Sequence, residues 1–178
     1  IGNNVFMAYR KVSEKEFVPL KKPNIDHGSG LERIAAAVSN SADIFPITHS
    51  EIIECLEKMS GKLYADDMRS FRIIADHMKA AVFLISDSVY PSNTDQGYFV
   101  RRLIRRCVQY TDKLGITNNG LAGVVRPIVA MYADQYPELL EQQSMITQTI
   151  STEEERFRST LARGIKEFEK LATQNISG

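Results

Sequence analysis

Beyond residue 50 the apolar side chains return at helical spacing, and this period constrains the fold more than any other feature. Phe71, Ile74, Ala75, Met78, Val82 and Ile85 share one stripe, which predicts a long amphipathic helix. Before it, Ser50 or His49 opens a helix through Ile52, Ile53, Cys55, Leu56 and Met59, with Gly61 as its stop. Pro91-Ser92-Asn93 punctuates the chain, and a further helix spans about 97–113, ended by Gly115. Asn118-Asn119-Gly120 reads as a loop, and residues 121–133 as a shorter helix that contains Pro127. Pro137 precedes a long last helix, whose apolar positions Ile146, Ile150, Phe157, Leu161, Ile165, Phe168 and Leu171 step by three, four or seven.

The first thirty residues behave differently. Residues 5–9 are β-prone, 10–16 are polar and turn-like, and 17–20 are β-prone again, a hairpin signature with a longer loop. Pro19 and Pro23 predict an edge strand or one that ends early. Gly28-Ser29-Gly30 then breaks the pattern ahead of a helix over residues 31–38. The fold class expected is mainly α (α+β overall): a short antiparallel β-hairpin followed by a helical bundle.

A length of 178 residues fits one large domain, or one domain carrying a piece of another. Lysine plus arginine and aspartate plus glutamate both number 22, so the formal net charge is zero. Attraction to nucleic acid must therefore come from local clustering and not from a global field. Cys55 and Cys107 lie far apart in helical segments and read as buried reduced thiols. No apolar run approaches the ~18 residues of a membrane span, and no signal-peptide pattern is present. A cytoplasmic setting is expected, with no membrane partner. The start at Ile1, without methionine and inside an apolar run, reads as a fragment of something longer.

Two constellations carry chemistry. In Asp26-His27-Gly28-Ser29-Gly30-Leu31-Glu32-Arg33 a strand passes through two glycines into a helix, which lets backbone approach a flat or anionic ligand. Arg33 offers a planar fork of donors suited to phosphate oxygens. A plain strand-to-helix turn with an exposed arginine has the same pattern, and the Gly-Lys-Ser/Thr ending of a P-loop is absent.

The second constellation is Pro91-Ser92-Asn93-Thr94-Asp95-Gln96-Gly97-Tyr98, followed by Arg101, Arg102, Arg105 and Arg106. At about 100° per residue the four arginines span an arc of roughly 140°. Val100, Leu103, Ile104 and Cys107 take the other side. Like charges at this spacing repel, so a polyanion or nearby carboxylates must balance them. Phosphate backbone is one balance; Glu153-Glu154-Glu155 in cis is the other, although that run also reads as a solvated helix face. The Asn93 amide can donate and accept at once, as reading a base edge in the shallow minor groove of RNA requires, or it caps a turn.

Other candidates are weaker. His27, His49 and His77 show no ligand spacing with each other or with the cysteines, so no metal site is expected. Asp76-His77 reads as a partly buried polar pair and not as a catalytic dyad.

Taken in order, these motifs resemble the alanyl-tRNA synthetase family, over nearly the whole chain. Asn3 and Val5-Phe6-Met7 resemble its Trp-Asn-x-Val-Phe-Met strand. Ile25-Asp26-His27-Gly28-Ser29-Gly30-Leu31-Glu32-Arg33 resembles its third class II motif, usually Val-Asp-Thr-Gly-Met-Gly-Leu-Glu-Arg. Ile74-Ala75-Asp76-His77, Pro91-Ser92-Asn93, the arginine cluster and Thr152-Glu153-Glu154-Glu155 follow its helical part. Gly2, His27 and Ser29 depart from the family pattern and are expected to alter the wall of the adenylate pocket; Thr94-Asp95-Gln96 replaces a Glu-Gly-Arg-like run.

The resemblance implies ATP-dependent activation of alanine and its transfer to the 3′ end of tRNA-Ala. It implies that Arg33 holds the ATP γ-phosphate as the catalytic residue, that Gly28 and Gly30 leave room for the adenylate, and that Asp26 binds the alanine amino group. Asn3 and Val5 would line the alanine pocket. Asn93 would help read a G·U wobble pair in the acceptor stem, with Arg101, Arg102, Arg105 and Arg106 along that stem. Residues 1–40 would be the end of the catalytic domain and 41–178 an incomplete helical domain that recognises tRNA. ATP and Mg2+ belong to the intact enzyme, and the fragment is expected to retain neither, to be inactive alone, and to bind no DNA. A non-catalytic helical RNA-binding or interaction domain is the alternative.

Overall fold

The computed structural model describes residues 2–117 and 119–175. Ile1 and Asn118, read above into an apolar run and a loop, lie outside the described residues, as do 176–178. The chain divides into two compact units, Ile1–Thr48 and His49–Gly178.

The first unit holds two strands, β1 (Gly2–Lys11) and β2 (Phe17–Ser29), and two helices, α1 (Leu31–Val38) and α2 (Phe45–Thr48). The strands pair antiparallel, and the Val12 amide donates to the Glu16 carbonyl at 3.0 Å to close the hairpin. β2 does not end at its prolines. Tyr9 faces Pro19 and Met7 faces Asn24, so residues 20–23 bulge outward opposite Ala8 before the ladder resumes. Pro23 has no N–H to give the ladder, and a bulge is where that lack costs nothing. From Gly2↔Ser29 to Met7↔Asn24 the register is regular. Because paired residues share a face and successive ones alternate, Asn3, Val5, Asp26 and Gly28 lie on one face of the ribbon. Gly2, Asn4, His27 and Ser29 lie on the other.

The second unit is helical: α3 (Ser50–Ser60), a 3-10 turn (Tyr64–Asp66), α4 (Met68–Ser86), α5 (Asp95–Leu114), α6 (Gly120–Tyr132) and α7 (Glu138–Asn175). Gly61 and Gly115 end α3 and α5 in the left-handed conformation, at φ 68° and 82°. The Asp67 carboxylate caps α4 by accepting from the Ser70 amide at 3.1 Å and from its hydroxyl. Those hydrogen bonds, the hydroxyl's foremost, hold the Asp67 pKa below the usual aspartate value. Phe71, Ile74, Met78, Val82 and Ile85 of α4 are fully buried, as the stripe predicts, against Val100, Ile104 and Cys107 of α5 and the apolar faces of α6 and α7. The Cys107 thiol is pushed well above its ordinary pKa by burial.

Pro127 lies inside α6 without ending it. A proline leaves the carbonyl four residues back without its helical donor, here that of Gly123. The half-buried Cys55 thiol of α3 reaches that oxygen at 3.7 Å, so the thiol pins α3 to α6. The α7 stripe is buried only in part. Leu139, Ile146 and Ile150 are enclosed, whereas Leu161, Ile165, Phe168 and Leu171 are exposed. Among the described residues no helix is long and apolar enough to cross a membrane.

Candidate functional site

In the first unit, pairing brings Val5 opposite Asp26 and Asn3 opposite Gly28. An apolar side chain, an amide, a carboxylate and a bare glycine thus share one exposed face, and a Cβ at Gly28 would meet nothing within 4 Å. Gly30 is the N-cap of α1, and its carbonyl takes the Ile34 amide at 3.0 Å. A Cβ there would lie 3.3 Å from Arg33 Cδ, so the bare glycine lets the exposed Arg33 stem fold back over the helix start. The three departures from the family pattern, Gly2, His27 and Ser29, occupy the opposite face and so do not flank these groups, contrary to expectation. Two of them fit each other: His27 Nδ1 pairs with Asn4 Oδ1 at 2.7 Å, and its ring lies where a side chain on Gly2 would be.

In the second unit the four arginines of α5 divide into two pairs. Arg101 and Arg105 turn toward α7, where both approach Glu153 Oε1, at 3.2 and 2.7 Å. Glu153 is 2% exposed and Glu154 is fully buried, so the acidic run is not the solvated face it suggested. Buried carboxylates persist only when paired and hydrogen-bonded. Glu154 meets that condition through Arg158 at 2.9 Å and the Leu121 amide at 3.1 Å. Burial works against the charge on Arg158, yet its bonds to Asp112 and Glu154 outweigh burial and raise its pKa. Only Glu155 is exposed; it accepts from Asn119 Nδ2 at 3.2 Å.

Arg102 and Arg106 are exposed and form no ion pair among the described residues. Arg106 packs its guanidinium 6.0 Å from the Tyr110 ring, and Arg105 lies 5.2 Å from Phe157. A groove of about 470 Å³ runs along this surface, lined by all four arginines with Tyr98, Tyr110 and Phe157. Arg156 and Arg163 of α7 join Arg101 and Arg105 around a second hollow, extending the basic surface beyond the four residues legible as a cluster. Their seven-residue spacing on one helix was the signal that would have revealed them.

Asn93 is exposed at the entry to α5, and its side-chain oxygen accepts from Arg101 Nη1. That bond orients the amide and leaves both N–H donors and one lone pair free of it. The loop is pressed onto the helix. The Ser92 hydroxyl donates to the Thr94 carbonyl at 2.7 Å, and the Ser92 amide donates to the Gly97 carbonyl at 3.0 Å. A Cβ on the buried Gly97 would collide with Ser92 Oγ and the Tyr90 carbonyl. Asp76 and His77 form the expected polar pair, at 2.8 Å, with His77 the more enclosed. Among the described residues no three His, Cys, Asp or Glu side chains converge to hold a metal ion, so Mg2+ finds no such ligand set there.

A hairpin running through two glycines into an arginine-bearing helix, then a bundle with an arginine ridge, is an architecture that known proteins share. Residues 1–177 match the family model for tRNA synthetases class II (A), and the chain belongs to that family. The relatives are alanine–tRNA ligases. That of Borreliella afzelii (strain PKo) is 43% identical over 183 residues, covering 99% of this chain and 31% of the relative. Those of Anaeromyxobacter sp. (strain Fw109-5) and Nitrosococcus oceani are each 39% identical, over 93% and 96% of this chain and 19% and 20% of theirs. The chain therefore spans less than a third of the length of these curated relatives.

Proposed function

We propose that this chain supplies two parts of an alanine–tRNA ligase: one wall of the site that activates alanine with ATP, and the helices that hold the acceptor stem of tRNA-Ala. Residues 1–40 are then the end of the catalytic domain and 41–178 the helical recognition domain. In the first part Arg33 holds the γ-phosphate, Gly28 and Gly30 give the adenylate room, and Asp26 takes the alanine ammonium beside Asn3 and Val5. The shared face of Asn3, Val5, Asp26 and Gly28 supports this. ATP, when bound, supplies the leaving group; these residues bind and orient. The full enzyme would act in the cytoplasm and use Mg2+ with its ATP.

In the second part the observation that carries the reading is the division of the arginines. Arg101 and Arg105 are neutralised by Glu153 and build the fold, while Arg102 and Arg106 face outward with no carboxylate against them. Unbalanced guanidinium groups beside exposed aromatic rings suit a phosphate backbone. Arg101 also sets the Asn93 amide, so positioning and reading of the stem are joined through one side chain.

A minihelix carrying the tRNA-Ala acceptor stem tests the reading. The chain should bind it with an affinity that falls as salt rises. Arg102→Ala with Arg106→Ala should weaken binding about tenfold or more and lower the salt slope by about two, one per phosphate contact. Thermal unfolding should not move. No binding, or binding indifferent to salt, overturns the proposal.

A further inference from the structure

Arg102 and Arg106 border two hollows. One is the groove toward α7; the other, on the far side, is a notch of about 200 Å³ lined by His77 of α4 and by Phe99, Arg102, Leu103 and Arg106 of α5. The notch is smaller than the roughly 300 Å³ at which pockets for whole small ligands begin. Its lining is chemically divided. Two guanidinium groups supply donors for an oxyanion, Phe99 and Leu103 supply an apolar wall, and Phe99 is 64% exposed on a helix with a well-filled buried face. His77 is the remaining polar group. Its Nδ1 lies 2.8 Å from the Asp76 carboxylate, which only accepts, so Nδ1 carries the proton. In the neutral ring Nε2 is then left as an acceptor.

We propose that this notch binds one ribose-phosphate unit of an RNA strand: Arg102 and Arg106 take the phosphate, the sugar lies against Phe99 and Leu103, and His77 Nε2 accepts from the ribose 2′-hydroxyl. The inference rests on the acceptor-stem reading and deepens it, because it names the contact that distinguishes RNA from DNA. A 2′-hydroxyl is the donor that such an acceptor needs, and DNA lacks it. Asp76 holds the imidazole in the required tautomer and is a positioning residue.

The test combines His77→Ala with minihelices in which single acceptor-stem riboses are replaced by 2′-deoxyribose. His77→Ala should weaken binding of the all-RNA minihelix about fivefold, the worth of one hydrogen bond. One 2′-deoxy position should cost wild type a similar factor and should cost the His77→Ala protein nothing further. Asp76→Asn, which frees the other tautomer, should reproduce part of the loss with unfolding unchanged. Two results overturn the notch while leaving the stem-binding reading intact: salt-dependent binding that His77→Ala does not change, or a loss that every deoxy position enlarges equally in both proteins. Absence of minihelix binding by the wild-type chain overturns both.

Discussion

Glu154 has no exposure to water, and its two carboxylate oxygens serve different elements. Oε1 receives the Arg158 guanidinium of its own helix, and Oε2 receives the Leu121 amide in the first turn of α6. That second bond supplies the cap that α6 lacks locally, since Asn119 makes no side-chain cap. Removing the carboxylate leaves a buried amide unsatisfied and a guanidinium short of one partner. Arg158 is 23% exposed and keeps Asp112, so water and that acid take up part of the deficit. Glu154→Ala should therefore cost about 2–3 kcal/mol, below the ~3–5 of a fully enclosed pair, read as a lower denaturant midpoint at unchanged m-value. Glu154→Gln keeps an oxygen for Leu121 and should cost less than half as much. Equal losses from the two variants would show that charge, and not the cap, governs the site. The sequence held a signal of this burial: Ile146, Ile150 and Glu154 step by four, which puts an acid on the apolar stripe. What it did not hold was the partner, because Leu121 lies thirty-three residues away.

At the scale of elements, α5 and the loop before it form one unit. The loop from Tyr90 to Ser92 lies so close to the helix start that residue 97 has no room for a side chain. Gly97→Ala must push that loop away, and with it Asn93, whose amide is held by Arg101 farther along the same helix. Overpacking of this kind costs about 1–3 kcal/mol. Stability should fall by that amount and minihelix affinity should fall as well, whereas Gly164→Ala, on the exposed part of α7 where a Cβ meets nothing, should change neither. Unfolding and binding measured on both variants check it. The helices themselves were legible from period, punctuating proline and terminal glycine, which act locally. The bulge in β2 was not, because Pro19 and Pro23 state where a ladder must break but not that it resumes at Asn24. The overhang of α7 was equally hidden. Leu161, Ile165, Phe168 and Leu171 continue the period of Ile146 and Ile150, and period alone does not tell which turns find a partner.

Across the whole molecule the two units differ in how much they enclose. The helical unit buries contiguous stripes from α3 to α7, while the ribbon of the first unit leaves Val5, Phe6, Tyr9 and Ile25 exposed, and α1 leaves Leu31 and Val38 exposed. A two-stranded ribbon is marginal without a layer packed on it. The consequence for chemistry is direct. Adenylate formation depends on holding alanine's carboxylate and the ATP phosphorus in line, and an orientation gain requires groups on more than one side of the reactants. Here the candidate ligands Asn3, Val5, Asp26 and Gly28 form a single face open to water, and in water the ammonium–carboxylate attraction at Asp26 is weak. Arg33 is likewise exposed and so is a flexible donor, not a fixed clamp. The chain on its own should show no alanine-dependent exchange of pyrophosphate into ATP above buffer, while still binding the minihelix through the helical unit. Alanine-dependent exchange that vanishes with Arg33→Ala would overturn this separation, since it would mean that one face and one arginine suffice to align the two substrates.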